Sequence, residues 1–180
     1  MRKHYRATPI SRKEIREVAN VIRRWYKLEN TLDFPIVEVF ESLACFELFN
    51  YEIVPKEIMG NKYGETFPSE KHINIREDIY DKACEGDPFG KSTIAHELYH
   101  LLFHKENTIS LCRTGGDIQN RKVYEDPEWQ ANCFAGELMV PKDLIAGMIK
   151  DEVIENCNVS ESMADYQIKV YRREDNNSKY

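Results

Sequence analysis

The chain has 180 residues, 42% of them hydrophobic and 31% charged, with a net charge of −6; this suits one globular domain with a buried core and argues against bulk affinity for nucleic acid. No apolar run exceeds five residues, against the roughly 20 needed to cross a bilayer, and no signal-peptide pattern follows the charged start, so a cytoplasmic chain with no membrane span is expected. Five cysteines (Cys45, Cys84, Cys112, Cys133 and Cys157) form no CxxC pair and are odd in number, which speaks against a disulfide framework and against a thiolate metal site.

The charge is unevenly spread. Residues 1–27 carry nine Lys and Arg against Glu14 and Glu17, a run read as a solvated face, with contact to DNA or an acidic partner the minority reading. Within it, Ser11 and Glu14 have capping-box spacing, and Ile15, Val18, Ala19 and Ile22 recur at helical period as far as Trp25 or Tyr26, which places Arg and Lys outward. Asp33 and Pro35 open a second helix whose stripe is Ile36, Val39, Phe40 and Leu43, ending near Cys45. Residues 46–54 are strand-like, with Tyr51 and Ile53 on one face. Gly60, Asn61 and Gly64 mark turns, and KHINIR at 71–76 alternates again, with Ile73 and Ile75 inward and His72, Asn74 and Arg76 outward. About three strands are expected, followed by an irregular connection with one helical turn over 78–86.

Asp87 and Pro88 then cap a helix running to about His104, and on it lies IAHELYHLL at 94–102. At about 100° per residue, His96 and His100 fall one turn apart on one face, where both imidazoles can reach a single ion. Glu97 flanks them, while Ile94, Ala95, Leu98, Leu101 and Leu102 form the opposite, core-facing side. Chance can produce such a triplet, so the reading needs a third ligand. Residues 105–124 are expected to be a loop bordering the site. Beyond them Asp126 and Pro127 repeat the cap-plus-proline device, and on the next helix Glu128, Ala131, Asn132, Ala135 and Met139 share a stripe. Glu128 is the candidate third ligand, ahead of Glu125 and Glu137, and Asn132 is spaced to orient a ligand by a hydrogen bond. His104 lies about 6 Å along the axis beyond His100, too far to share the ion, and receives a structural or supporting role. Val140 and Pro141 stop the helix. Leu144, Ile145, Met148 and Ile149 suggest another, Ser160 caps a last one carrying Met163, Ala164, Ile168 and Tyr171, and 172–180 read as a frayed tail.

HELYHLLFH at 96–104 and EWQANCFAGELMVP at 128–141, with VSES at 159–162 more loosely, resemble the ImmA/IrrE family of zinc metallopeptidases. The resemblance implies an α+β zincin-like domain spanning 1–180, mainly helical, with a small sheet of about three strands beside the HExxH helix. It implies zinc held by His96, His100 and Glu128, with Glu97 as the catalytic carboxylate. It also implies a protein substrate: a helix-turn-helix repressor of a mobile element or stress response. The chain departs from the family at Tyr99, where Gly is usual and which bears on the shape of the cleft, and at Gly136, where Ala is usual. In some members a helix-turn-helix domain precedes the peptidase; none is expected here.

The residue types support the same chemistry. Zinc on two imidazoles and a carboxylate keeps a position for water, whose pKa falls to about 7, and manganese is the alternative ion. Glu97 can accept the water's proton and pass it to the leaving amine. Tyr99, His72 and Tyr124 are the candidate oxyanion donors, and the KHINIR strand could offer its edge to an extended peptide. Two other classes compete: a non-hydrolytic metal-binding toxin or regulatory module that binds a repressor, and a DNA-associated regulator using the basic N-terminal segment.

Overall fold

The computed structural model describes residues 5–104, 110–111 and 122–177. Helix α1 (Arg12–Trp25) starts at the expected capping box, with the Ser11 hydroxyl accepting from the Glu14 amide and the Glu14 carboxylate accepting from the Ser11 amide. Its basic residues do not all face water. Arg23 is 2% exposed and donates to the carbonyls of Leu28 and Thr31, in the turn after α1, and of Leu138, in the last turn of a later helix, acceptors that only a long forked donor can serve together.

Helix α2 (Ile36–Cys45) begins just after Pro35, and residues 46–49 turn, with Glu47 at φ 59°, so the first long strand is confined to Asn50–Val54. A short helix (Lys56–Met59) and the strand Gly64–Phe67 follow where only turns are expected, and His72–Arg76 forms the KHINIR strand. Two further residues pairs, Tyr5–Arg6 and Ser110–Leu111, pair antiparallel. In chain order the strands are β1 (Tyr5–Arg6), β2 (Asn50–Val54), β3 (Gly64–Phe67), β4 (His72–Arg76) and β5 (Ser110–Leu111), and the short helix is α3.

The three-stranded sheet has the order β2-β4-β3, with β2 parallel and β3 antiparallel to β4. The KHINIR strand is therefore central. Both of its edges are hydrogen-bonded, and it has none to offer a peptide. Ile73 and Ile75 are buried as expected, but Arg76 is buried too, donating to the Gly60 carbonyl, pairing with Asp78 and covering the Tyr63 ring at 4.7 Å.

Residues 77–84 form a regular helix, α4 (Glu77–Cys84), where an irregular connection is expected; Ile79 and Ala83 are its buried face. It crosses α5 (Pro88–Phe103) closely, since a Cβ at Gly90 would lie 2.6 Å from the Ala83 amide and 2.7 Å from the Ile79 carbonyl. Asp87 caps α5 by accepting from Gly90. Helix α5 is the middle of the molecule, packed on α4, α2, the sheet and α6 (Pro127–Met139), and Ile94, Ala95, Leu98 and Tyr99 are fully buried.

The loop expected over 105–124 lies largely outside the described residues, although 110–111 are strand and Val123–Glu125 form a 3-10 turn. The helix expected around Leu144 to Ile149 is replaced by turns, because Gly147 at φ 88° takes the left-handed conformation that ends helices; α7 (Lys150–Cys157) begins only after it. Ser160 caps α8 (Glu161–Asn177) by accepting from Met163. That helix does not fray at 172: Glu174 is held by Arg16 and Lys142. The observed architecture is the α+β, mainly helical domain with a small sheet beside the HExxH helix. Among the described residues, no helix is long and apolar enough to cross a membrane, and Cys45, Cys84, Cys133 and Cys157 are free.

Candidate metal centre

One turn of α5 sets the His96 and His100 rings edge to face, 4.7 Å between centroids, with their Nε2 atoms 2.9 Å apart. Helix α6 packs along α5, with the Phe134 ring 5.1 Å from that of Tyr99, and brings its first turn alongside the two imidazoles. There Asp126 caps the helix by accepting from the Glu128 amide, and the Glu128 carboxylate lies 3.3 Å from His96 Nε2 and 3.5 Å from His100 Nε2. One ligand atom from each of the three residues falls within 4.8 Å of the others, and among the described residues no other group of three does this.

The rival carboxylates are elsewhere. Glu137 is buried against α1 and α8, accepting from Arg12 at 2.6 Å, Arg16 at 2.7 Å and Tyr171 at 2.9 Å. Glu125 sits in the turn before α6, its carbonyl accepting from Ala7.

The outer nitrogens of both imidazoles are also engaged. His96 Nδ1 lies 3.0 Å from Asn132 Oδ1, as the spacing predicts, and His100 Nδ1 lies 2.7 Å from His104 Nδ1. With Nδ1 of His96 donating to an amide oxygen, its neutral ring turns an Nε2 lone pair toward the second imidazole and the carboxylate. Three acceptors that face one another repel unless a cation lies between them.

The electrostatics agree. Burial lowers the His96 pKa, but the Glu128 hydrogen bond and the charges of Glu97 and Glu128 outweigh it and raise the value. Burial and the His96 charge push His100 down, while the hydrogen bond from His96 holds Glu128 below the ordinary carboxylate range. The trio therefore favours one positive centre, and its donor set of two imidazoles and a carboxylate fits a divalent ion with an open position.

Glu97 points the other way around α5, toward β3, and is 8% exposed. Thr66 Oγ1 donates to its carboxylate at 2.6 Å. Gly64, on the same face of β3, leaves the space that Glu97 fills, since a Cβ there would lie 2.5 Å from Glu97 Cγ. Burial raises the Glu97 pKa against the opposing Thr66 hydrogen bond and His96 charge, which makes the carboxylate a stronger base than a solvated one.

Tyr99 cannot serve as an oxyanion donor. It lies in the core, stacked on Phe103 at 4.8 Å and packed against Phe134 and His104, so this departure from the family is a change of core packing. His72 is bonded to Asn74, and Tyr124 contributes its carbonyl to Gln130; among the described residues neither is hydrogen-bonded to the trio or to Glu97. Gly136 has its own partner, because a Cβ there would meet the Gln167 side chain at 2.8 Å, and Gln167 accepts from Arg12 and donates to Tyr171.

Sequence reasoning missed Gly64, Thr66 and Gln130. The alternation in GETF, with Gly64 and Thr66 two residues apart, was the available signal for the first two.

The IrrE N-terminal-like peptidase domain model matches residues 59–169, from the end of α3 into α8. No curated protein matches the chain. Since that match covers well over half of the length and takes in both helices of the trio, the chain belongs to the IrrE N-terminal-like family of peptidases.

Proposed function

We propose that the protein is a zinc-dependent endopeptidase in which His96, His100 and Glu128 hold the metal and Glu97 is the general base. The observation that carries this reading is the approach of three acceptor side chains from two helices to within 4.8 Å, with a buried carboxylate on the adjacent residue. When bound, the ion supplies acidification of a water and polarisation of a peptide carbonyl. Glu97 takes the proton that the attacking water loses and returns it to the leaving amine nitrogen, so the site ends hydrolysis in its starting protonation state; such transfer contributes typically about 10²–10⁴-fold. Asn132 and His104 hold the two imidazoles in orientation.

The substrate lies along β3. Among the described residues this strand pairs only with β4, and its other edge is open to an extended peptide beside Glu97. The substrate itself is a helix-turn-helix repressor of a mobile element or stress response, met in the cytoplasm, and residues 1–180 act as a single domain.

Glu97→Gln tests the reading against a non-hydrolytic metal-binding module. The variant is expected to keep zinc and its unfolding midpoint and to lose at least about 100-fold in cleavage of a co-expressed helix-turn-helix protein encoded beside it. Full cleavage by the variant overturns the enzyme reading.

A further inference from the structure

The hydrogen bonds behind His100 continue through the protein. His104 Nε2 lies 2.8 Å from Gln130 Oε1, and Gln130 Nε2 donates to the carbonyls of Thr8 at 2.9 Å and Tyr124 at 2.8 Å. His104 and Gln130 are each 2% exposed, so solvent does not compete for these groups.

The direction of this chain is set at its far end. Carbonyl oxygens only accept, so both hydrogens of the Gln130 amide are directed to Thr8 and Tyr124 and its oxygen faces His104. That oxygen also only accepts, which puts the His104 proton on Nε2 and, in the neutral ring, leaves a lone pair on Nδ1. The lone pair at 2.7 Å takes a proton donated by His100 Nδ1. His100 is then left with its own lone pair on Nε2, the atom that faces His96 and Glu128.

We propose that His104 and Gln130 are positioning residues that lock His100 in the metal-binding tautomer, and that the lock is anchored in the backbone of the N-terminal segment and of the turn before α6. This rests on His100 being a ligand. The two imidazoles are served differently: His96 is set by one bond to Asn132, within the two helices, whereas His100 depends on a relay that leaves them. The anchor is itself braced. Ala7 donates to the Glu125 carbonyl at 2.9 Å, Ile10 to the Tyr124 carbonyl at 3.3 Å, and β1 pairs with β5, so residues 5–10 form a strap across the start of α6. A segment with no ligand in it thereby contributes to metal affinity.

The test uses the full chain and Zn²⁺, titrated against a chromophoric chelator. Gln130→Met and His104→Phe, which keep bulk and remove the relay, are expected to bind zinc about 10–100-fold more weakly. His104→Gln, whose amide oxygen can accept from His100 while its NH₂ donates to Gln130, is expected to stay within about threefold of the wild type. Long-range proton–nitrogen correlation spectra of the wild type are expected to show His104 as the Nε2–H tautomer and His100 as the Nδ1–H tautomer. An Nδ1–H tautomer at His104 overturns the proposal, as does wild-type affinity in both Gln130→Met and His104→Phe. The spectra need no variant, so misfolding of a variant leaves the proposal testable. The expected tautomers in a chain that hydrolyses no peptide would sink the peptidase reading and leave the lock standing.

Discussion

Glu97 is seated by two residues of β3, one that makes room and one that donates. At Gly64 the room is exact enough to be tested: a methyl group would stand 2.5 Å from Glu97 Cγ, so Gly64→Ala must displace either the strand or the carboxylate. It is expected to cost about 1–3 kcal/mol of stability and, because a displacement near 1 Å at a reacting group is worth about 100-fold, to lower kcat/KM by about that factor with zinc content unchanged. Thermal melts, kinetics and metal analysis read the three quantities separately. Thr66→Val keeps the shape and removes the hydroxyl that lowers the Glu97 pKa, so that pKa rises. A general base must be ionised to act; the acid limb of the kcat/KM profile is therefore expected to move to higher pH, and an unmoved limb would mean that Thr66 does not govern the base.

At the scale of elements, what could be read from sequence was what is local. The caps at Ser11, Asp87, Asp126 and Ser160 each act within three residues, and the face shared by His96 and His100 is a property of a single helical turn, so these were legible. Strand order is not local. KHINIR alternates like any half-buried strand, and nothing within it tells that β3 and β2 flank it on either side, while Gly64 reads as a turn until Glu97 is seen to need its missing side chain. The end of α8 reads as a frayed tail for the same reason, because Glu174 is held by Arg16 and Lys142, far away in sequence. Helices α1, α6 and α8 meet at Glu137, whose buried carboxylate is shared by Arg12, Arg16 and Tyr171. Removing one partner of a buried pair leaves the others desolvated and uncompensated, so Glu137→Leu is expected to cost about 3 kcal/mol in urea unfolding, the lower end of the usual range because both arginines are partly exposed. Zinc content of the folded fraction is expected to be unchanged; its loss would return Glu137 to the list of candidate ligands.

For the whole molecule, the trio joins α5, the central helix, to the first turn of α6. An ion gripped from both sides binds the native state alone, and at about 100 times its Kd it adds about 2.7 kcal/mol to unfolding. Zinc is therefore expected to raise the melting temperature of metal-free protein by several degrees, and the rise is expected to vanish in Glu128→Ala; an equal rise in that variant would place the ion elsewhere. The same view of the molecule bears on the basic N-terminal run. Arg12 and Arg16 are committed to Glu137 and Arg23 to three carbonyls, so three of the nine positive charges in that run are internal to the fold. With a sequence pI near 5.5, the folded chain should pass a heparin or other cation-exchange column unretained at neutral pH and be captured on an anion exchanger, whereas its urea-unfolded form, with those arginines released, should bind a cation exchanger more readily than the native protein does.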